Sequence, residues 1–231
     1  WIKNREGTNN HQLYDTERGT GKSLASNTNG AFVQEGSNLG SLGMWQFKTN
    51  GFGLGMIDNV NKQGDDFTSW TFRKAEGFFD VVTYTGNGQN NRQISHNLGS
   101  TVGAIFVKQL DNTNDWAVYH RGNTKASNGS AVDAESQKLV LNSTAATTTE
   151  TTWWANTEPT SSVFYVGTSS ETNDNNRPYV AYIFAHDEQS YGDSGDQSII
   201  KCGSYTGNGS STGPTINLGW EPQWLLIKNA T

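Results

Sequence analysis

A single cysteine, Cys202, is present among 231 residues, so no internal disulfide can form and the small disulfide-stapled scaffolds are excluded. Charge is also scarce: Asp, Glu, Lys and Arg make up 16% of the chain, with a formal net charge of −6. No run of basic residues exists, which argues against a nucleic-acid or anionic-membrane partner. No stretch reaches the ~20 apolar residues of a membrane-spanning helix. The four histidines, His11, His96, His120 and His186, lack the spacing of a metal site and read as surface or turn residues. The first residue is Trp1 rather than Met and no signal peptide is visible. The expectation is that the true N-terminus is missing or processed away.

Small polar residues fill the gap, with 26 Gly and 25 Asn. A mean hydropathy of −0.67 by itself resembles disorder, but aromatics stand at 11% with 8 Trp, and disordered chains are poor in aromatics. Gly and Asn supply the positive-φ positions of tight turns, and Thr, Tyr, Phe, Trp and Val favour pleated strands. The composition therefore fits short strands joined by many turns.

An internal repeat organises the chain. Tyr84-Thr85-Gly86-Asn87-Gly88 recurs as Tyr205-Thr206-Gly207-Asn208-Gly209, an offset of 121. Trp1-Ile2-Lys3-Asn4 matches Phe106-Val107-Lys108-Gln109, and Tyr14 matches Tyr119, both at 105. Gly51 to Gly55 matches Val163 to Gly167, and Trp70-Thr71-Phe72 matches Tyr182-Ile183-Phe184, both at 112. The offset then grows across Asp187 to Lys201, an insertion rich in Asp, Ser and Gly. Matched blocks in one order, with offsets changing only in loop-like stretches, imply duplication. The expected division is residues 1–80 as the later part of one unit, 81–200 as a complete unit and 201–231 as the start of a third.

Strands are expected at Met44–Phe47, Gly53–Ile57, Phe67–Phe72, Phe78–Tyr84, Val102–Leu110, Trp116–Tyr119, Gln137–Leu141, Ser162–Val166, Tyr179–Phe184 and Ser198–Lys201. Turn signals such as Asn87-Gly88 and Asn128-Gly129 separate them. Helical periodicity is nearly absent. The fold class is all-β: tandem antiparallel sandwiches of jelly-roll type. Trp45, Phe52, Ile105, Val107, Phe164, Val166, Ile183 and Leu226 are expected in or beside cores. The Thr-rich stretch Thr144–Thr152 reads as an edge strand or a loop.

The run Tyr205 to Gly209, then Gly213-Pro214, Leu218-Gly219-Trp220, Pro222 and Leu225-Leu226-Ile227-Lys228, resembles a repeated domain of marine bacteriophages, found in tail, fibre and other virion proteins of cyanophages and their relatives. The same pattern includes the Asp15-Thr16-Glu17-Arg18-Gly19 loop and the strands at Gly51–Gly55 and Thr68–Phe72. The resemblance implies a concanavalin-like or laminin-G-like sandwich and no catalytic residues. Gly99-Ser100-Thr101-Val102 lacks the Trp-x-Pro step, and Tyr119-His120-Arg121-Gly122 lacks the loop Asp.

No pair of carboxylates carries a glycosidase signature, and Cys202 reads as a buried strand-end residue rather than a nucleophile. The acidic stretch Asp187, Glu188, Asp193 and Asp196 misses Ca²⁺-loop spacing and reads as a solvated loop. Trp153-Trp154, in a Thr-rich context, offers aromatic faces for stacking on sugars, with core packing as the alternative. The resulting expectation is a non-enzymatic structural and adhesive module of a phage virion appendage, without cofactor. Its partners would be other copies of itself, other fibre subunits and host surface glycans, and its state homo-oligomeric. A carbohydrate-binding module, or a subunit of a bacterial extracellular filament or adhesin, is the alternative.

Overall fold

The computed structural model describes residues 1–38, 40–126 and 128–230. Thr231, the end of the expected third unit, lies outside the described residues. In chain order the elements are β1 (Ile2–Asn4), β2 (Gln12–Leu13), β3 (Lys22–Ala25), β4 (Val33–Gln34), β5 (Met44–Lys48), β6 (Gly51–Leu54), the single helical turn α1 (Asp58–Asn61) and β7 (Phe67–Ser69). There follow β8 (Phe79–Thr85), β9 (Arg92–Ser95), β10 (Val102–Gln109), β11 (Ala117–His120), β12 (Gln137–Val140), β13 (Thr148–Thr149), β14 (Val163–Val166), the turn α2 (Ser170–Asn173) and β15 (Pro178–Ala185). The protein is all-β, with antiparallel pairing throughout.

The larger sheet has the order β13-β12-β11-β10-β15-β8 and the smaller one β4-β3-β2-β1-β7. Two further two-stranded sheets are the pair β14-β9, distant in sequence, and the β5-β6 hairpin. The pairing registers of the two sheets coincide at the sequence offsets. Ile2 faces Ser69 and Lys3 faces Thr68, as Val107 faces Ala181 and Lys108 faces Val180. Gln12 faces Ala25 as Ala117 faces Val140, with the second residues 115 apart, an offset seen only in the strand pairing. Side-chain detail coincides as well. Lys3 Nζ donates to the carbonyls of Asn4 at 2.6 Å and Gly7 at 3.0 Å. Lys108 Nζ donates to those of Gln109 at 2.7 Å and Asn112 at 3.0 Å.

Strict alternation along β10 and β15 splits their side chains between two cores. Ile105, Val107, Tyr179, Ala181 and Ile183 point to one face, where Ile94, Phe164 and Val166 of β9 and β14 cover them together with Trp153 and Trp154. Phe106, Val180, Tyr182 and Phe184 point to the other face and meet Leu13, Leu24, Phe32 and Phe72 from the first half of the chain. β10 and β15 are thus covered on both faces, which is why these two strands read as continuous apolar runs.

Several expectations are corrected. Trp45 and Phe52, on the β5–β6 hairpin, lie at the surface, each 37% exposed. Leu226 is 44% exposed. Residues 198–201 form no strand, and none is present among the described residues beyond Ala185. A strand needs an edge to pair with, and among the described residues no strand pairs with the segment after Lys201.

Candidate assembly and binding surfaces

Trp153 and Trp154 are interior, 2% and 1% exposed. Their rings meet edge-to-face, and Trp154 makes a second edge contact with Tyr119. Lys138 Nζ covers the remaining face of Trp153 at 5.0 Å from the ring centre. The expected sugar-stacking role of this pair is therefore corrected: both indoles close the second core and present no free face. Most of the flanking threonines, including Thr148 and Thr149 of β13, face outward, while Thr147 is buried.

An exposed aromatic lies instead on the β5–β6 hairpin. The Trp45 indole lies flat against Gly53, where an added Cβ would meet it at 2.8 Å, and Lys48 Nζ sits 5.7 Å from its centre. Gly53 is what lets the ring lie down on the strand. Sequence reading missed this site because an aromatic in a strand looks like core; the glycine opposite was the available signal.

Other candidates resolve into structural roles. The imidazoles of His96, His120 and His186 each accept a backbone N–H at Nδ1, from Leu98, Gly122 and Cys202 respectively. Burial lowers the proton affinity of each. The Cys202 thiol is held near the Ala185 carbonyl, and burial pushes its pKa up to about 12, far from a reactive thiolate. Asp187 is paired with Lys201 at 3.1 Å, and no group of three or more potential metal ligands occurs among the described residues. A shallow depression of about 390 Å³ is lined by Glu76, Gly77, Gly99, Glu188, Ser190 and Tyr191.

The Asp15–Arg18 loop is a buried clamp between the halves. Asp15 accepts from Arg18 Nε at 2.5 Å and from the Tyr182 hydroxyl at 2.7 Å. Arg18 also donates to the carbonyls of Lys22 and Leu13, so its charge is fully matched. Trp116 Nε1 adds a bond to the Ala25 carbonyl at 3.0 Å.

The Tyr-Thr-Gly-Asn-Gly turn after β8 is locked onto Asn173, which is fully buried. Asn173 Oδ1 accepts from the Asn87 N–H at 2.9 Å, and its Nδ2 donates to the carbonyls of Gln89 at 2.8 Å and Gly167 at 2.7 Å. The Asn173 carbonyl accepts from the Gly88 N–H at 2.9 Å. Tyr84 stacks on Tyr179 with ring centres 5.1 Å apart, and its hydroxyl donates to the Thr172 carbonyl at 2.7 Å. Gly86 must lack a side chain, since a Cβ there would lie 2.0 Å from the Asp174 carbonyl oxygen. The motif is a plug, and α2 with the start of β15 is its socket.

The chain belongs to the family described as Domain of unknown function (DUF7483), whose model matches residues 1–231. No curated protein and no solved structure matches it.

Proposed function

We propose that this member of the DUF7483 family is a non-enzymatic structural and adhesive module of a phage virion appendage, such as a tail fibre. It would be built by duplication of one sandwich-forming unit. The observation that carries the reading is the coincidence of strand order and register between the two sheets at the sequence offsets of the repeat. The likeness of the repeated motifs to virion domains of marine phages directs that architecture to an appendage. In such a module each unit supplies rigidity through its own core, and contacts between units set the geometry. Its partners are other copies of itself or neighbouring virion subunits, with localisation on the particle surface. Negative-stain imaging of intact particles with an antibody against this chain tests it. Labelling of the tail or fibres is expected; labelling confined to opened capsids, or none, overturns it.

A second reading, glycan binding on host surfaces, is favoured by one observation: the solvent-facing Trp45 indole beside Lys48. Aromatic faces of this kind stack on sugar rings. Glycan-array binding lost in Trp45→Ala would support it, and binding unchanged by that substitution would remove it.

A further inference from the structure

We propose that the outer edge of β7, together with the Asn61 turn, is a socket for the Tyr205–Gly209 segment of a second copy of this chain. The inference rests on the assembly part of the proposed function for its meaning and on the following geometry for its content.

The socket that holds the turn after β8 exists twice. At an offset of 112, α1 corresponds to α2, Asn61 to Asn173 and Phe67 to Tyr179. The local structure is the same. Asn61 Nδ2 donates to the Gly55 carbonyl at 2.7 Å, as Asn173 Nδ2 does to Gly167. The N–H groups of Asp65 and Arg177 return to the carbonyls of Lys62 and Asp174. Gly64 and Asn176 both adopt positive φ, at 88° and 58°. The difference is occupancy. Asn173 is buried beneath the 86–89 turn, whereas Asn61 is exposed. β15 is flanked by β10 and β8, whereas β7 ends its sheet with β1 as its one partner.

The plug also exists twice. Residues 205–209 repeat the motif of residues 84–88, yet residues 203–209 are exposed and carry no strand. Transferring the β8–β15 register places Thr206 opposite Asp66, Tyr205 opposite Phe67, Ser204 opposite Thr68 and Gly203 opposite Ser69. Tyr205 would stack on Phe67 as Tyr84 does on Tyr179, and Gly207 would take the close approach that Gly86 makes. The fit stops there, because β5 already pairs with β6 in the position that β9 takes on β14. One free strand slot matches one free strand of the right motif. Backbone pairing at an open sheet edge supplies the attraction, and the turn supplies the selectivity. In one chain the plug and the socket are different surfaces, so the contact is heterologous and extends end to end unless its rotation closes a ring.

Sedimentation velocity of the 231-residue chain over a wide concentration range tests this. The expected result is a mean mass that rises with concentration. Gly207→Ala should weaken association at least tenfold without altering the fold, because a Cβ there meets nothing within 4 Å in the single chain. Tyr205→Ser, at an exposed position, should do the same, and a peptide of residues 203–209 in excess should dissociate the wild type. A chain that stays monomeric at every concentration overturns the proposal, as does association that both variants leave unchanged. These outcomes are independent of where particle labelling places the protein, so either test can fail alone.

Discussion

Replacing Asn173 by Ala should be among the most damaging single changes outside the apolar cores, whereas the same change at Asn61 should be mild. The two residues hold corresponding places, so local propensity cancels in the comparison. Asn173 is fully buried and its side chain joins Asn87, Gln89 and Gly167. Truncation strands the buried Gly167 carbonyl, which costs about 1–3 kcal/mol. Losing the two bonds to the turn adds about 0.5–1.5 kcal/mol each, for a total of about 2–6 kcal/mol. Asn61 makes one such bond and is open to water, so its loss should cost about 0.5–1.5 kcal/mol. Urea unfolding followed by Trp fluorescence measures both. With a slope of ~2.5 kcal/mol/M, Asn173→Ala should lower the midpoint by about 0.8–2.4 M and Asn61→Ala by about 0.2–0.6 M. Equal shifts, or a cost below ~1 kcal/mol for Asn173→Ala, would refute the reasoning that the turn is locked through this side chain.

Three further outcomes are expected. Trp153→Ala should lose about 3–5 kcal/mol, the cost of a large cavity in a core; a change under ~1 kcal/mol in the same assay would restore a surface role for this indole. Asp15→Asn should destabilise by about 3–5 kcal/mol, because Arg18 remains buried with its counter-charge removed; a smaller loss from the double change Asp15→Leu with Arg18→Met would mark the pair as a matter of geometry rather than net attraction. Stability should fall on acidification below about pH 6.5. Unfolded imidazoles bind protons near 6.5, while burial holds the proton affinity of folded His96, His120 and His186 lower, so the unfolded state gains protons first. Urea midpoints at pH 7.5 and 5.5 should differ, His96→Gln should narrow the gap, and a flat profile would contradict the assignment.

The parts of the fold that could be read from sequence are those where local pattern and burial agree. β8, β10 and β15 are long, β-branched and aromatic, and they lie within a residue or two of the expected bounds. Strands β1 to β4 have two to four residues each, too few for an alternation to show, and none of them is among the expected strands. Trp153 and Trp154 misled because their neighbours are polar, and burial depends on which loop folds over which sheet. Trp45 misled in the opposite direction. The segment around Tyr205 shows the deeper limit: it repeats the Tyr84 motif residue for residue, yet β8 is a strand because β15 lies beside it. A partner edge is not written into the segment that needs it.

The packing of the two sheets carries a consequence for how such units can multiply. Leu13 and Leu24, which meet the larger sheet, hold the places of Val118 and Leu139 at offsets of 105 and 115. Each sheet therefore turns the same side toward the other, in the manner of two cupped palms. If copies join through the β7 edge as proposed, growth runs sideways, strand beside strand, and a fibre of such copies would be a ribbon whose width is set by the two packed sheets.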